Sequence, residues 1–223
     1  MTGASGVLAL VLAEAAAGGA ALLFLTPLRS EVRRGFFYLT GGVVIVLALS
    51  AAASTGSGAA FADPGSARTG MVLALALGAT TFAAVAVLAA RRPLVGLILG
   101  VGTAGVAIGM LVMFAIATGG GFVLSLVQLL AGAVFTGAVL DGLLLGHWYL
   151  TDRKLPRQPI NRMAWVLVGA VGVEAVAVLA GLGSPGPETS SSLSPLLTVA
   201  GNATWIAFGM VACTGLIAAF IRA

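Results

Sequence analysis

Hydrophobic residues in this chain run in long blocks rather than alternating with polar ones. A helix crossing the ~30 Å hydrocarbon of a bilayer needs about 20 mostly apolar residues. Seven blocks meet that length: Val7 to Leu28, Phe36 to Ala53, Gly70 to Ala90, Leu94 to Ala117, Phe122 to Leu150, Met163 to Leu182 and Pro195 to Ile221. The pattern predicts an all-α integral membrane protein, a seven-helix transmembrane bundle that forms one domain over residues 1–223. The fifth and seventh blocks are long enough to tilt or to project past the hydrocarbon. The connecting stretches Ser54 to Thr69 and Gly183 to Ser194 are rich in Gly, Ser and Pro, and Gly119 to Gly121 make a tight turn. None is long enough for a soluble domain. Function is therefore expected within the helices, at their interfaces or on partner chains.

Composition agrees with a chain whose outside is lipid. Of its 223 residues 60% are hydrophobic and 8% charged, and mean hydropathy is +1.13, whereas a soluble domain is about 25% charged. Charge adds orientation. Arg29, Arg33 and Arg34 follow the first block, Arg91 and Arg92 the third, Arg153, Lys154, Arg157 and Arg162 the fifth, and Arg222 the seventh. Of the 11 basic residues only Arg68 falls on the other side. Basic loops stay in the cytoplasm, so the amino terminus is expected outside and the carboxyl terminus inside, in the inner membrane of a cell. An even number of spans would break the alternation. The pI near 10.2 follows from these membrane-flanking loops, and no nucleic-acid partner is expected. No basic residue precedes the first block, so a cleaved signal peptide is not expected.

Scarcity of ligating residues excludes several chemistries within the chain. With one cysteine (Cys213) and one histidine (His147), neither a disulfide, a structural zinc site nor a bis-histidine haem can be assembled. The lone lysine, Lys154, lies in a loop, which removes a retinal Schiff base. Nucleotide-binding glycine loops are absent. Asn202-Ala-Thr204 matches a glycosylation sequon, but it falls inside the seventh block. The 32 glycines predict close helix packing. Gly96, Gly100, Gly105 and Gly109 in the fourth block, and Gly142 and Gly146 in the fifth, have the spacing for it, mostly within the chain and alternatively at an oligomer seam.

Three carboxyls fall inside the blocks: Glu14, Asp141 and Glu174. A charge at mid-bilayer costs at least about 2.5–3.5 kcal/mol, which makes each a functional candidate. Counting helical rise from the cytoplasmic ends puts Asp141, Glu174 and Glu14 at about 14, 17 and 21 Å, with Asn202 near the level of Glu14. Helices 1, 5, 6 and 7 are thus expected to share one polar layer. No lysine or arginine lies there, so each carboxyl is expected to carry a proton or to hold a cation or cationic substrate. The alternative is a neutral carboxyl hydrogen-bonded to backbone or hydroxyl groups as glue between helices.

The fifth block ends in the densest chemistry. At 100° per residue Asp141 and Trp148 share a face two turns apart, with His147 and Tyr149 to either side. Asp141 and His147 are about 9 Å apart along the axis, too far for an acid/base pair. His147, Trp148 and Tyr149, beside Arg153 and Lys154, read as an interfacial aromatic belt. A sharper reading is a pocket for a quinone, a lipid headgroup or a partner.

Function is expected to be that of a small permease or transport component passing a proton, cation or small solute. Glu14, Glu174 and Asn202 would lie at the ion site, Asp141 would act as relay and His147 as exit. The competitors are a non-catalytic membrane subunit of a larger respiratory or other redox complex, with other subunits or copies of itself as partners, and an intramembrane lipid or isoprenoid enzyme. The last lacks paired carboxylates spaced for magnesium and diphosphate, so an enzyme is the less favoured class.

Overall fold

A computed structural model describes residues 3–26, 32–57, 61, 63–118, 121–152, 155–181 and 209–217. Six long helices dominate: α1 (Gly3–Leu25), α2 (Arg34–Gly56), α3 (Pro64–Ala89), α4 (Pro93–Ala117), α5 (Phe122–Thr151) and α6 (Gln158–Gly181). All six are long and apolar enough to cross a membrane, and the chain is a multi-pass helical membrane protein. A further helix, α7, covers residues 209–217. The expected seventh span extends beyond it on both sides, so its remainder, including Asn202, lies outside the described residues.

The largest differences from the expected helix ends are at the starts of α3 and α6, where polar residues and proline precede the apolar block. The third helix starts at Pro64 rather than Gly70, because the Asp63 carboxylate accepts a hydrogen bond from Ser66 N at 2.7 Å and Pro64 fits the first turn. The second runs on to Gly56, so the Ser54 to Thr69 connection is mostly helical. Helix α6 begins at Gln158, with Pro159 in its first turn, rather than at Met163.

Helices α1 to α4 pack in sequence, and α4 returns to α1, closing an antiparallel ring. Paired contacts give the register: Gly41 meets Val85 and Gly56 meets Met71 across α2 and α3, while Gly100 receives the Phe24 ring across α4 and α1. Helix α5 lies along α1 with a parallel register, and α6 packs on α5 outside the ring. Short connections alternate the ends. The α1–α2, α3–α4 and α5–α6 turns therefore share one end, which carries Arg33, Arg34, Arg91, Arg92, Arg157 and Arg162; Arg68 is at the other.

The interior has two characters. Toward the basic end Leu23, Phe24, Phe36, Phe37, Leu145 and Met163 form a layer of bulky side chains. The rest is built largely from alanine, including Ala9, Ala13, Ala16, Ala17 and Ala20 on α1. Small residues let α1 sit deep among its neighbours. Within lipid, this close contact supplies the dispersion energy that hydrophobic burial supplies in water.

The tightest contact is between α1 and α5. A Cβ on Gly18 would fall on the carbonyl of Ala133, 2.6 Å from its carbon, and one on Gly137 would lie 2.6 Å from the Cα of Gly18. Only glycine fits at either position. The spacing expected to drive packing behaves otherwise. Gly96 and Gly100 do receive Leu88 and Phe24, but nothing lies within 4 Å of a Cβ at Gly105, Gly109, Gly142 or Gly146. Among the described residues those four face outward, because periodicity along one helix does not say which face a partner takes.

Candidate functional site

Hydroxyls inside these helices mostly satisfy themselves. Thr55, Thr81, Thr103 and Thr136 each donate to the carbonyl four residues earlier, at 2.7–3.0 Å, the usual solution where water is missing. A few buried polar atoms have no such partner among the described residues: Thr40 Oγ1, both carboxyl oxygens of Asp141, Trp148 Nε1 and Glu174 Oε2. Unsatisfied groups of this kind cost about 1–3 kcal/mol each, so each one calls for an explanation.

Glu14 and Glu174 lie together. Both line a cavity of about 280 Å³ between α1, α5 and α6, whose other polar walls are Thr118, Ser125 and Gln128. The Glu14 carboxyl lies over Gly132, where a Cβ would meet Oε1 at 2.9 Å. Glycine at 132 therefore makes the room Glu14 occupies. Leu10, Leu129, Ala177 and Val178 supply apolar walls.

Asp141 is elsewhere. It is fully buried and faces α1 at Gly19, whose Cβ would lie 3.8 Å from Oδ1. Nine residues of α5, about 14 Å, separate it from Gly132, where Glu14 lies. The single polar layer expected from counting residues is thus two sites, one on each side of the Gly18–Gly137 contact. Counting from each helix end misplaced them because α1 and α5 are offset along their axes.

Toward the basic end Trp148 covers Gly35, with Cη2 2.5 Å from where a Cβ would be. Thr40 falls between Asp141 and Trp148 in height, four residues from Val44, which meets Gly19 opposite Asp141. The Tyr149 hydroxyl donates to the Pro156 carbonyl, tying the end of α5 to the following turn. His147 is exposed. The Arg33 guanidinium pairs with Asp152 at 3.0 Å. Arg153, Lys154 and Asn202 lie outside the described residues, and no group of three or more His, Cys, Asp or Glu suited to a metal occurs among those described.

Ser125 and Gln128 were not singled out from the sequence. Their signal is legible in retrospect: Ser125, Gln128 and Gly132 recur at three and four residues, a polar and small stripe on one face of an otherwise apolar span. Comparison of the chain with protein-family models, with curated proteins and with solved structures finds no match.

Proposed function

We propose that the chain is a small permease that passes a proton, cation or small solute through the bilayer. The observation that carries this reading is the cavity in which Glu14 of α1 and Glu174 of α6 come together beside Gln128. Two carboxyls from different helices, with no lysine or arginine among the described residues that line the cavity, favour a cationic occupant or a shared proton. Asp141, buried without a hydrogen-bond partner among the described residues, is the relay toward the basic end, and exposed His147 is the exit to water. On this reading the basic end faces the cytoplasm and the amino terminus faces outside, in the inner membrane.

Reconstituted vesicles test it. Flux of protons or of a small cation should fall by at least about tenfold in Glu174→Gln and Glu14→Gln, the loss expected when one charge-assisted contact is removed. Asp141→Asn should slow flux while occupant binding persists. Unchanged flux in all three amide variants would sink the reading.

A membrane-subunit role is favoured by a different observation, the outward-facing Gly102, Gly105 and Gly109 of α4. Blue-native electrophoresis after mild extraction separates the two: a particle far above the mass of this chain and containing other polypeptides supports the subunit.

A further inference from the structure

Arg91 has a φ of 60°, and no other non-glycine residue among those described has a positive φ. It closes α3: its N–H donates to the Leu88 carbonyl and that of Arg92 to the Val87 carbonyl, each at 3.2 Å. Such a left-handed cap is ordinarily a glycine, because an L side chain is strained there. Glycine is not scarce in this chain, with 32 copies. A side chain held in this conformation against backbone preference points to a use for the side chain.

Its surroundings indicate that use. Arg91 and Arg34 line one pocket of about 120 Å³, with Val32, Phe37, Leu88 and Pro93 as the apolar remainder. The two guanidinium-bearing residues come from different hairpins, the α1–α2 and α3–α4 turns, and among the described residues no carboxylate lines the pocket. The ion pair formed at this end uses Arg33 and Asp152 instead. Guanidinium pairs suit a phosphate, which they can engage by paired N–H donors. The pocket lies at the basic end of the bundle, where the apolar spans of α2, α3 and α4 begin or end. Beside it the first turns of α4 expose Leu94, Val95, Leu97 and Ile98, a surface along which an acyl chain can lie.

We propose that Arg34 and Arg91 form a site for the phosphate of an anionic phospholipid, with Phe37 and Leu88 against the glycerol and upper acyl carbons. The site is independent of the carboxyl cavity. Basic pockets between transmembrane helices are suited to such headgroups. The apolar wall and the adjoining aliphatic surface favour a lipid over free phosphate, which would make no use of either.

The experiment uses the full chain in mild detergent, with phosphatidylglycerol, phosphatidylcholine or inorganic phosphate added, and reads retained adducts by native mass spectrometry together with the shift in melting temperature. Phosphatidylglycerol should be retained and should raise the melting temperature more than the other two. Arg91→Gly and Arg34→Gln should each weaken its binding about tenfold, the equivalent of one charge-assisted hydrogen bond. Because Arg91→Gly places the preferred residue at the cap, loss of binding there cannot be ascribed to loss of fold. Arg92→Gln removes an equal charge one residue away but outside the pocket, and should bind as the unaltered chain does. The proposal is overturned if Arg91→Gly and Arg34→Gln retain full binding, if Arg92→Gln loses as much as they do, or if phosphatidylcholine or inorganic phosphate matches phosphatidylglycerol.

Discussion

Glycine does opposite things in two regions of this bundle. At the α1–α5 joint, Gly18 and Gly137 bring two backbones together so closely that neither position has room for a Cβ. On α4, nothing among the described residues lies within 4 Å of a Cβ at Gly102, Gly105 or Gly109. A small residue brings two backbones into contact only if the facing helix presents a small residue at the same height; elsewhere, as at Gly100 under Phe24, it makes room for a large side chain. The α1–α5 pairing also positions chemistry. Glu14 occupies the space over Gly132 on one side of the joint, and Asp141 faces Gly19 on the other. Each carboxyl is matched with a glycine of the opposite helix.

Breaking the joint is the most severe test of this contrast. Gly137→Val or Gly18→Val forces side-chain atoms into backbone, and the helices must separate along their length. We expect loss of more than about 3 kcal/mol, in the range of the most damaging core substitutions, read as a collapse in folded yield and melting temperature. Native-like melting of either variant would mean that the joint is not a close contact. Gly132→Ala is milder, because what it meets is the far end of the Glu14 side chain, 2.9 Å from the new Cβ. That carboxyl can move. The fold should survive with little change in melting temperature, while binding of a cation in the cavity changes several-fold. Equal loss of fold and binding would show that Glu14 serves as structural glue.

On α4 the same substitution should have almost no cost. Gly105→Ala and Gly109→Ala add a methyl where nothing is met and raise helix propensity, so stability should hold or rise by under about 1 kcal/mol. A marked loss, or a change in particle size on blue-native gels, would show that this face has a partner in the membrane.

Much of the fold was legible in the sequence because a bilayer asks for length and apolarity, and both can be counted. The fourth span and the start of the fifth agree with the expected blocks to within one residue. The two starts that moved furthest lie at polar residues and prolines, Asp63 and Pro64 at α3 and Gln158 and Pro159 at α6, which do not register as hydrophobicity. The site was legible in parts. Glu14, Asp141 and Glu174 stand out as carboxyls in lipid, but their grouping depends on the offset between α1 and α5, which the Gly18–Gly137 contact sets. Single-helix periodicity cannot supply that offset. Nor could it show that Arg91 adopts a left-handed cap, since the sequence there offers two arginines and a proline and no glycine.

The smallest effect lies at the end opposite the arginines, where Asp63 opens α3 in contact with water. Its carboxylate accepts from the backbone and the hydroxyl of Ser66 at 2.7 and 2.9 Å, and these hydrogen bonds hold its pKa below the ordinary 3.8. A group held low in the folded state stabilises it above the unfolded value, and that stabilisation disappears as pH falls through the folded one. The sign is therefore loss on acidification. Amide exchange at Ser66 and Ala67 should be faster in Asp63→Ala than in the unaltered chain at neutral pH, with the difference closing below pH 3.8. Asp63→Asn, which keeps an acceptor without the charge, should show protection that does not vary over that range. A difference between Asp63→Ala and the unaltered chain that persists in strong acid would mean that the first turn of α3 is held by something other than this carboxylate. The cap would then no longer explain why α3 begins ahead of its apolar block, whereas the outward face of α4 and the α1–α5 joint would be unaffected.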